Sequence, residues 1–235
     1  RKRIPFTTSV HTKFPEYLKD LMGLPTSITN EFLKWFHSGA ARTLVNTHSH
    51  QRELESIGIQ NLKIWNRAID KSIFRPIISE ELDPYYLYVG RVSREKNLEA
   101  FFSLDLDLPK VVVGEGPQLK EYKKKFSEVN FIGYKFGDEL AEIYSNARVK
   151  VFPSLTDTFG LVMLEANACG TPVAAYPVTG PIDVISNGIN GYYDQDLKSA
   201  IEKACSINRA SCFEFADQFS WSNVAKQFLD TLIRL

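Results

Sequence analysis

The chain has 235 residues with 28 basic and 28 acidic side chains, so its formal net charge is zero, which removes the electrostatic basis for broad nucleic-acid binding. Hydrophobic residues make up 44% and charged residues 24%, the balance of a globular protein with room for one large domain or one domain plus part of another. No apolar run reaches the ~18–20 residues of a membrane span, the opening residues carry no signal-peptide pattern, and three cysteines without a C-x-x-C pair fit a reducing compartment, predicted to be the cytoplasm.

The first residue is Arg1, and "RKRIPFTTSVHT" reads as a strand entered without a preceding turn, as expected of an N-terminally incomplete piece of a longer protein. Residues 5–10 are β-branched and aromatic and predict a strand. A weak helix follows over 15–21 and a better one over 28–36, with Ile28, Phe32, Leu33, Trp35 and Phe36 as its apolar positions. Core packing is the favoured reading of that aromatic face, and membrane contact is the alternative. A strand over 43–45, a helix over 49–57 closed by Gly58 and a strand over 62–65 complete a βααβαβ opening. Residues 79–84, polar and proline-ended, read as the hinge.

From Tyr85 the alternation is regular. Strands are predicted over 85–89, 110–113, 129–132, 149–152 and 172–175, with helices over 98–102, 118–126, 138–146 and 161–168. The strands are continuous apolar runs, as in a parallel sheet covered on both faces. The order predicts a doubly wound α/β sheet, which binds ligands at the C-terminal strand ends. Residues 197–235 predict two or three helices, the last amphipathic through Trp221, Val224, Phe228 and Leu232.

Candidate chemistry sits at those strand ends. After 85–89 come Gly90, Arg91 and Lys96; a glycine admits a ligand to the backbone and two cations suit a diphosphate, while a charged surface turn is the plain alternative. After 110–113, "GEGP" is either a βα turn or a ligand loop carrying Glu115, and G-x-G without a third glycine is a weak signal. After 129–132, Tyr134 could frame a base or close a turn. Lys123, Lys124 and Lys125 read as a solvated helix face. The most informative stretch is "VKVFPSLTDTFGLVMLEANACGTPVAAYPVTGPID". Asp157 and Glu165 lie eight residues apart, just over two helical turns, so both can face one cleft. Thr158, Phe159 and Gly160 precede Leu161, where a helix start presents free amides suited to phosphate. Paired carboxylates also suit glycoside hydrolysis, but the phosphate-type features favour a nucleotide-sugar. His48 and His50 lack a third partner at metal-ligand spacing, and the D-x-D at Asp105 and Asp107 lies away from the strand ends, so no metal site is predicted.

Taken together, "YVGRVSREKN", "VVVGEGP", "VNFIGY", "LAEIYSNARVKVFPS" and "TDTFGLVMLEANACGTPVAAYPVTGPIDVI" resemble the retaining GT-B glycosyltransferases of family four (GT4), the glycosyl transferases group 1 domain. Earlier segments, "PFTTSVHTKFPEYL" and "TLVNTHSHQRELESIGIQNLKIWNRAID", resemble the second half of that family's N-terminal domain, in the branch with lipid-directed sugar transferases. The resemblance implies a partial Rossmann-like acceptor-side domain over 1–78, a Rossmann-like nucleotide-sugar domain over 79–213, and a C-terminal helix over 214–235 crossing back. It implies a hexosyltransferase that takes a UDP- or GDP-sugar and a lipid or glycan acceptor, needs no metal or other cofactor, and works in the cytoplasm or at the inner face of the membrane, with peripheral membrane contact. In the family's E-x7-E motif the first position is Asp157, with reach to a donor-sugar hydroxyl about one methylene shorter, and the second is Glu165, which would bind the ribose. Arg91 and Lys96 would neutralise the diphosphate, Phe159, Gly160 and Leu161 would supply amides, Glu115 would lie near donor or ribose, and His11 would face the transferred sugar. Two alternatives stay open: a non-catalytic donor-binding fragment, and a nucleotide-sugar epimerase or phosphorylase on the same architecture.

Overall fold

A computed structural model describes residues 4–77 and 83–233, apart from the side chains of Asp20 and Leu21. Most of the predicted hinge, residues 79–82, lies outside the described residues. Two parallel sheets form. The first comprises β1 (Thr7–Val10), β2 (Arg42–Val45) and β3 (Leu62–Ile64), in that order. Helices α1 (Phe14–Met22), α2 (Thr26–Ser38) and α3 (His48–Ser56) connect them. A small core of Val10, Leu33, Val45, Leu54, Ile59 and Leu62 fills this lobe.

The predicted core role of the α2 aromatics is overturned. Thr29, Leu33 and His37, one residue per turn, are the buried stripe, and His37 Nδ1 lies 2.9 Å from Thr8 Oγ1. Ile28, Phe32, Trp35 and Phe36 face outward, Trp35 at 70% exposure. One helix can turn only one stripe to a three-stranded sheet, and here that stripe is anchored by Leu33 in the small core and by the His37–Thr8 hydrogen bond.

The second sheet has six parallel strands: β4 (Tyr85–Val89), β5 (Lys110–Val113), β6 (Asn130–Phe131), β7 (Ala147–Phe152), β8 (Val173–Ala175) and β9 (Gly191–Tyr193). Their order is β6-β5-β4-β7-β8-β9. Helices α4 (Leu98–Phe102), α5 (Leu119–Lys125), α6 (Gly137–Asn146), α7 (Leu161–Ala168), α8 (Pro181–Val184) and α9 (Leu197–Ala204) cover both faces. Alternate strand residues feed two cores. Leu87, Val89, Val111, Val113 and Phe152 pack under α6 and α7, and Tyr86, Tyr88, Val112, Val149 and Val151 under α4, α5 and α9. This accounts for the unbroken apolar runs. Strand β9 and helix α8 go beyond the predicted elements; β9 is a three-residue strand whose Gly191 lies so close to β8 that an added Cβ would sit 2.4 Å from Val173 O.

The chain ends in α10 (Arg209–Phe215) and α11 (Trp221–Thr231). Helix α11 returns to the first lobe. Arg42 Nη1 donates to Asp230 O and Leu232 O at 3.1 and 3.3 Å, Asn66 N donates to Gln227 Oε1 at 3.2 Å, and the Phe228 ring sits 5.1 Å from that of Trp65. Of its predicted apolar stripe Val224 is buried, whereas Trp221 and Leu232 are exposed. Among the described residues no helix is long and apolar enough to cross a membrane.

Strand order reverses between β4 and β7, so the connections leave the sheet in opposite directions there and open a crevice at the C-terminal strand ends. The first sheet turns its own C-terminal ends, followed by His11, Asn46 and Arg67, toward that crevice. Hydrogen bonds span it: Thr47 Oγ1 to Thr158 O at 3.1 Å, Thr158 Oγ1 to His11 O at 2.8 Å, and Ser49 N to Asp183 Oδ1 at 3.0 Å.

Candidate active site

Two cavities occupy the crevice and adjoin at Val89, Gly90 and Arg91. The first, about 740 Å³, is lined by the β5–α5 turn with Glu115, by Tyr134 and Phe136, and by Glu165 of α7. The second, about 600 Å³, lies between the lobes and is lined by His11, Asn46 and Arg67 on one side and by Lys96, Asp157 and residues 158–162 on the other.

The predicted carboxylate pair is therefore divided: Asp157 belongs to the second cavity and Glu165 to the first. The helical-turn arithmetic fails because α7 begins only at Leu161, so Asp157 to Gly160 are loop residues. The two groups flank one crevice through adjoining chambers.

Glu165 is half-buried and its Oε2 accepts from Tyr144 Oη at 2.8 Å. Burial raises its pKa, while the Tyr144 hydrogen bond and the Lys150 charge act in the opposite direction. Tyr144 is fully buried, which pushes its own pKa far up and keeps it a donor. Lys96 Nζ holds both Asp157 oxygens, at 2.7 and 2.9 Å, with each side chain about a quarter exposed (22% and 25%). The predicted sugar-binding carboxylate and one predicted phosphate cation thus form an ion pair. Arg91 is exposed and lines both cavities. Tyr88 Oη donates to Arg91 O at 2.9 Å, bracing the turn from beneath.

Gly160 caps α7 at φ 80°, a left-handed conformation that glycine adopts without strain, and no side chain caps the helix start. Phe159 is buried with its ring 6.2 Å from that of Phe219, so its contribution to the cavity is backbone. Leu161 is 39% exposed at the first helical position. Gly114 is needed for the β4–β5 approach: an added Cβ would stand 2.1 Å from Gly90 O. Glu115 is exposed at the rim, and Tyr134 is exposed with its ring stacked on Phe136 at 6.0 Å.

His11 Nδ1 hydrogen-bonds Asn46 Oδ1, which fixes the orientation of the ring at the mouth of the second chamber. Burial and then the Arg67 charge lower its pKa, keeping the ring neutral at pH 7. Asn46 and Arg67 went unnoticed in the sequence, although both follow strand ends. Ser154, which lines the second cavity, has a buried hydroxyl without a partner. The fully buried Lys150 was also missed, although a cation inside the apolar run "VKVF" was its signal. Among the described residues no cluster of three His, Cys, Asp or Glu side chains could hold a metal ion. Asp107 accepts from Tyr86 Oη at 2.8 Å and lines neither chamber.

A strand-order reversal with anion-suited turns, a half-buried carboxylate and a facing second lobe is the arrangement that known proteins can be compared with. Residues 70–208 match the family described as glycosyl transferases group 1. The chain belongs to that family. A GDP-mannose-dependent alpha-mannosyltransferase of Corynebacterium glutamicum is 29% identical over 222 residues, covering 85% of this chain and 54% of the relative. The sulfoquinovosyl transferase of Arabidopsis thaliana is 30% identical over 208 residues, covering 80% and 41%. The chain thus spans about half the length of these curated relatives. Among solved structures, Anabaena HepE in complex with UDP superposes with a TM-score of 0.78 at 17% identity, covering 97% of this chain and 72% of that one. Sucrose-phosphate synthase from Thermosynechococcus elongatus gives 0.81 at 22% identity, covering 95% and 66%. At these identities the likeness is one of fold, and the fold of this family member is that of the GT-B glycosyltransferases.

Proposed function

We propose that this chain binds a nucleotide-sugar in the two adjoining chambers and belongs to a retaining glycosyltransferase that moves a hexose from a UDP- or GDP-sugar to a lipid or glycan. One observation carries the reading: the chambers meet at Gly90–Arg91, so a ligand with a nucleoside end, a sugar end and a diphosphate between them matches their sequence of chemistries. The nucleoside occupies the first chamber, with the ribose on Glu165 and the base near Tyr134 and Glu115. The diphosphate lies over Gly90, where Arg91, Lys96 and the open amides at Gly160 and Leu161 supply positive charge to the leaving group. The sugar enters the second chamber, where Asp157 and the neutral His11 face its hydroxyls. Retention follows from front-face attack, with the leaving diphosphate taking the acceptor proton. The positive charge comes from side chains and amides, so the proposed reaction uses no resident metal.

The relatives named for GDP-mannose and the HepE complex with UDP support a nucleotide donor and leave uracil and guanine as alternatives. The outward aromatic face of α2, with Ile28, Phe32, Trp35 and Phe36, supports a lipid acceptor met at the inner membrane face from the cytoplasm. Calorimetric titration with UDP, GDP, UDP-glucose and GDP-mannose, followed by a donor-hydrolysis assay, tests the reading. Micromolar to low-millimolar binding of one nucleotide series is expected; binding of neither overturns it.

A further inference from the structure

Lys150 lies in the middle of β7 with no exposed surface. Its Nζ donates to Val151 O at 3.0 Å and reaches Val89 O at 3.4 Å. The rings of Tyr88 and Phe152 stand 4.8 and 5.4 Å from it. Among the described residues no carboxylate forms an ion pair with it. An ammonium buried in this way is a cost to the fold, and methionine would fill the same slender space without that cost. Its position supplies a purpose. Val89 ends β4, lines both chambers and leads into Gly90, where the two meet.

We propose that Lys150 is a positioning residue for the nucleoside diphosphate: its buried ammonium fixes the Val89–Gly90 strand end and supplies a countercharge beneath the junction of the chambers. This rests on the nucleotide-sugar reading above. Lys150 does not touch the ligand; it acts through the Val89 carbonyl and through its field.

The groups that act on it are Glu165 of α7, Asp157 and Lys96 of the crevice loops, and the Tyr88 ring of β4; Glu165 in turn accepts from Tyr144 of α6 and lies in the field of Cys169, just after α7. Burial brings the Lys150 pKa down to about 7; Glu165 and then Asp157 oppose this, and Lys96 adds to it. Burial raises Tyr88 and Tyr144 and pushes the Cys169 thiol up to about 12, so these three stay neutral between pH 7 and 9. His11 and His50 are lowered and are neutral there as well. An anion bound over Gly90 favours the charged lysine, so binding takes up a proton. The sign follows: the lysine's contribution to affinity is complete below its free-state pKa and is lost as pH rises through its bound-state pKa. If the anion raises that pKa by one unit, affinity falls about fivefold between pH 7 and pH 9. The terminal phosphate, with a second pKa of about 6, changes affinity in the opposite direction and is almost fully ionised over this window.

The test is calorimetry of UDP and GDP on the wild-type chain and on Lys150→Met at pH 7 and 9, in two buffers of different ionisation enthalpy, with uridine and guanosine as controls that lack the diphosphate and share any ionisation of the base, and thermal melts as a folding check. Expected are proton uptake by the wild type at pH 7, a fall of about fivefold by pH 9, and a Lys150→Met variant that still melts cooperatively, takes up no proton and binds at pH 7 as weakly as the wild type at pH 9. At each pH, nucleoside affinity should be the same in both proteins. Equal affinity and equal proton uptake in both proteins overturn the inference while leaving the nucleotide-sugar reading intact. Binding of neither nucleotide to the wild type overturns both. If the methionine variant does not fold, absence of proton uptake by the wild type still refutes the role and its presence sustains it.

Discussion

Replacing Glu165 with glutamine should move stability and donor affinity in opposite directions. The carboxyl is half-buried, and burial raises its pKa in the fold, with the Tyr144 hydrogen bond and Lys150 as partial compensation. For an acid whose folded pKa is raised, the destabilisation is absent below the unfolded pKa and complete above the folded one. Glutamine carries no charge and keeps an acceptor for Tyr144, so Glu165→Gln should melt at or above the wild-type temperature at pH 7. Its stability should also lose the decline that the wild type shows as pH rises through the carboxylate range. Affinity should fall. Hydrogen bonds to a charged group contribute about 1.5–3 kcal/mol each, roughly twice a neutral one. Two ribose hydroxyls that exchange a carboxylate for an amide therefore lose about 1.5–3 kcal/mol together, or ~10- to 150-fold in Kd. Calorimetry with UDP and GDP reads the loss, and scanning calorimetry reads the stability. A parallel drop in stability and affinity would assign Glu165 a structural role, and unchanged affinity would remove the ribose from it.

Lys96→Met should weaken UDP or GDP by about tenfold while sparing the nucleosides, and the difference should shrink at high salt; equal losses for nucleoside and nucleotide would refute a diphosphate role. Gly114→Ala should cost about 3 kcal/mol or more in urea unfolding, because a Cβ 2.1 Å from Gly90 O at φ 120° forces β4 and β5 apart; a loss under about 1 kcal/mol would contradict that close approach. Arg209 donates to Ala147 O at 2.8 Å and to Thr171 Oγ1 at 3.0 Å, tying α10 to β7 and the α7–β8 turn. Arg209→Met should cost about 2–4 kcal/mol by chemical denaturation and leave the nucleotide affinity of the folded fraction unchanged. Finally, this chain alone should bind donor but transfer sugar poorly or not at all; sustained turnover on a lipid or glycan acceptor would contradict that expectation.

The sequence by itself determined the second lobe. Short apolar runs such as "KVVV" and "YYLYV", alternating regularly with helical stretches, fit strands buried on both faces of a parallel doubly wound sheet, and that is the sheet that forms. It also placed Gly90, Arg91 and Gly160 beyond strand ends, and in the fold they line the chambers of the crevice. Tertiary structure alone decided how those ends are shared out. Helical spacing predicted one cleft for Asp157 and Glu165, but a loop carries the first of them, and the two face separate, adjoining chambers. Likewise, hydrophobicity could not tell which stripe of α2 turns inward, because His37 is held by Thr8, a partner on another element. Lys150 and Arg67 act across the sheet and across the lobes, and such distances exist only once the chain has folded.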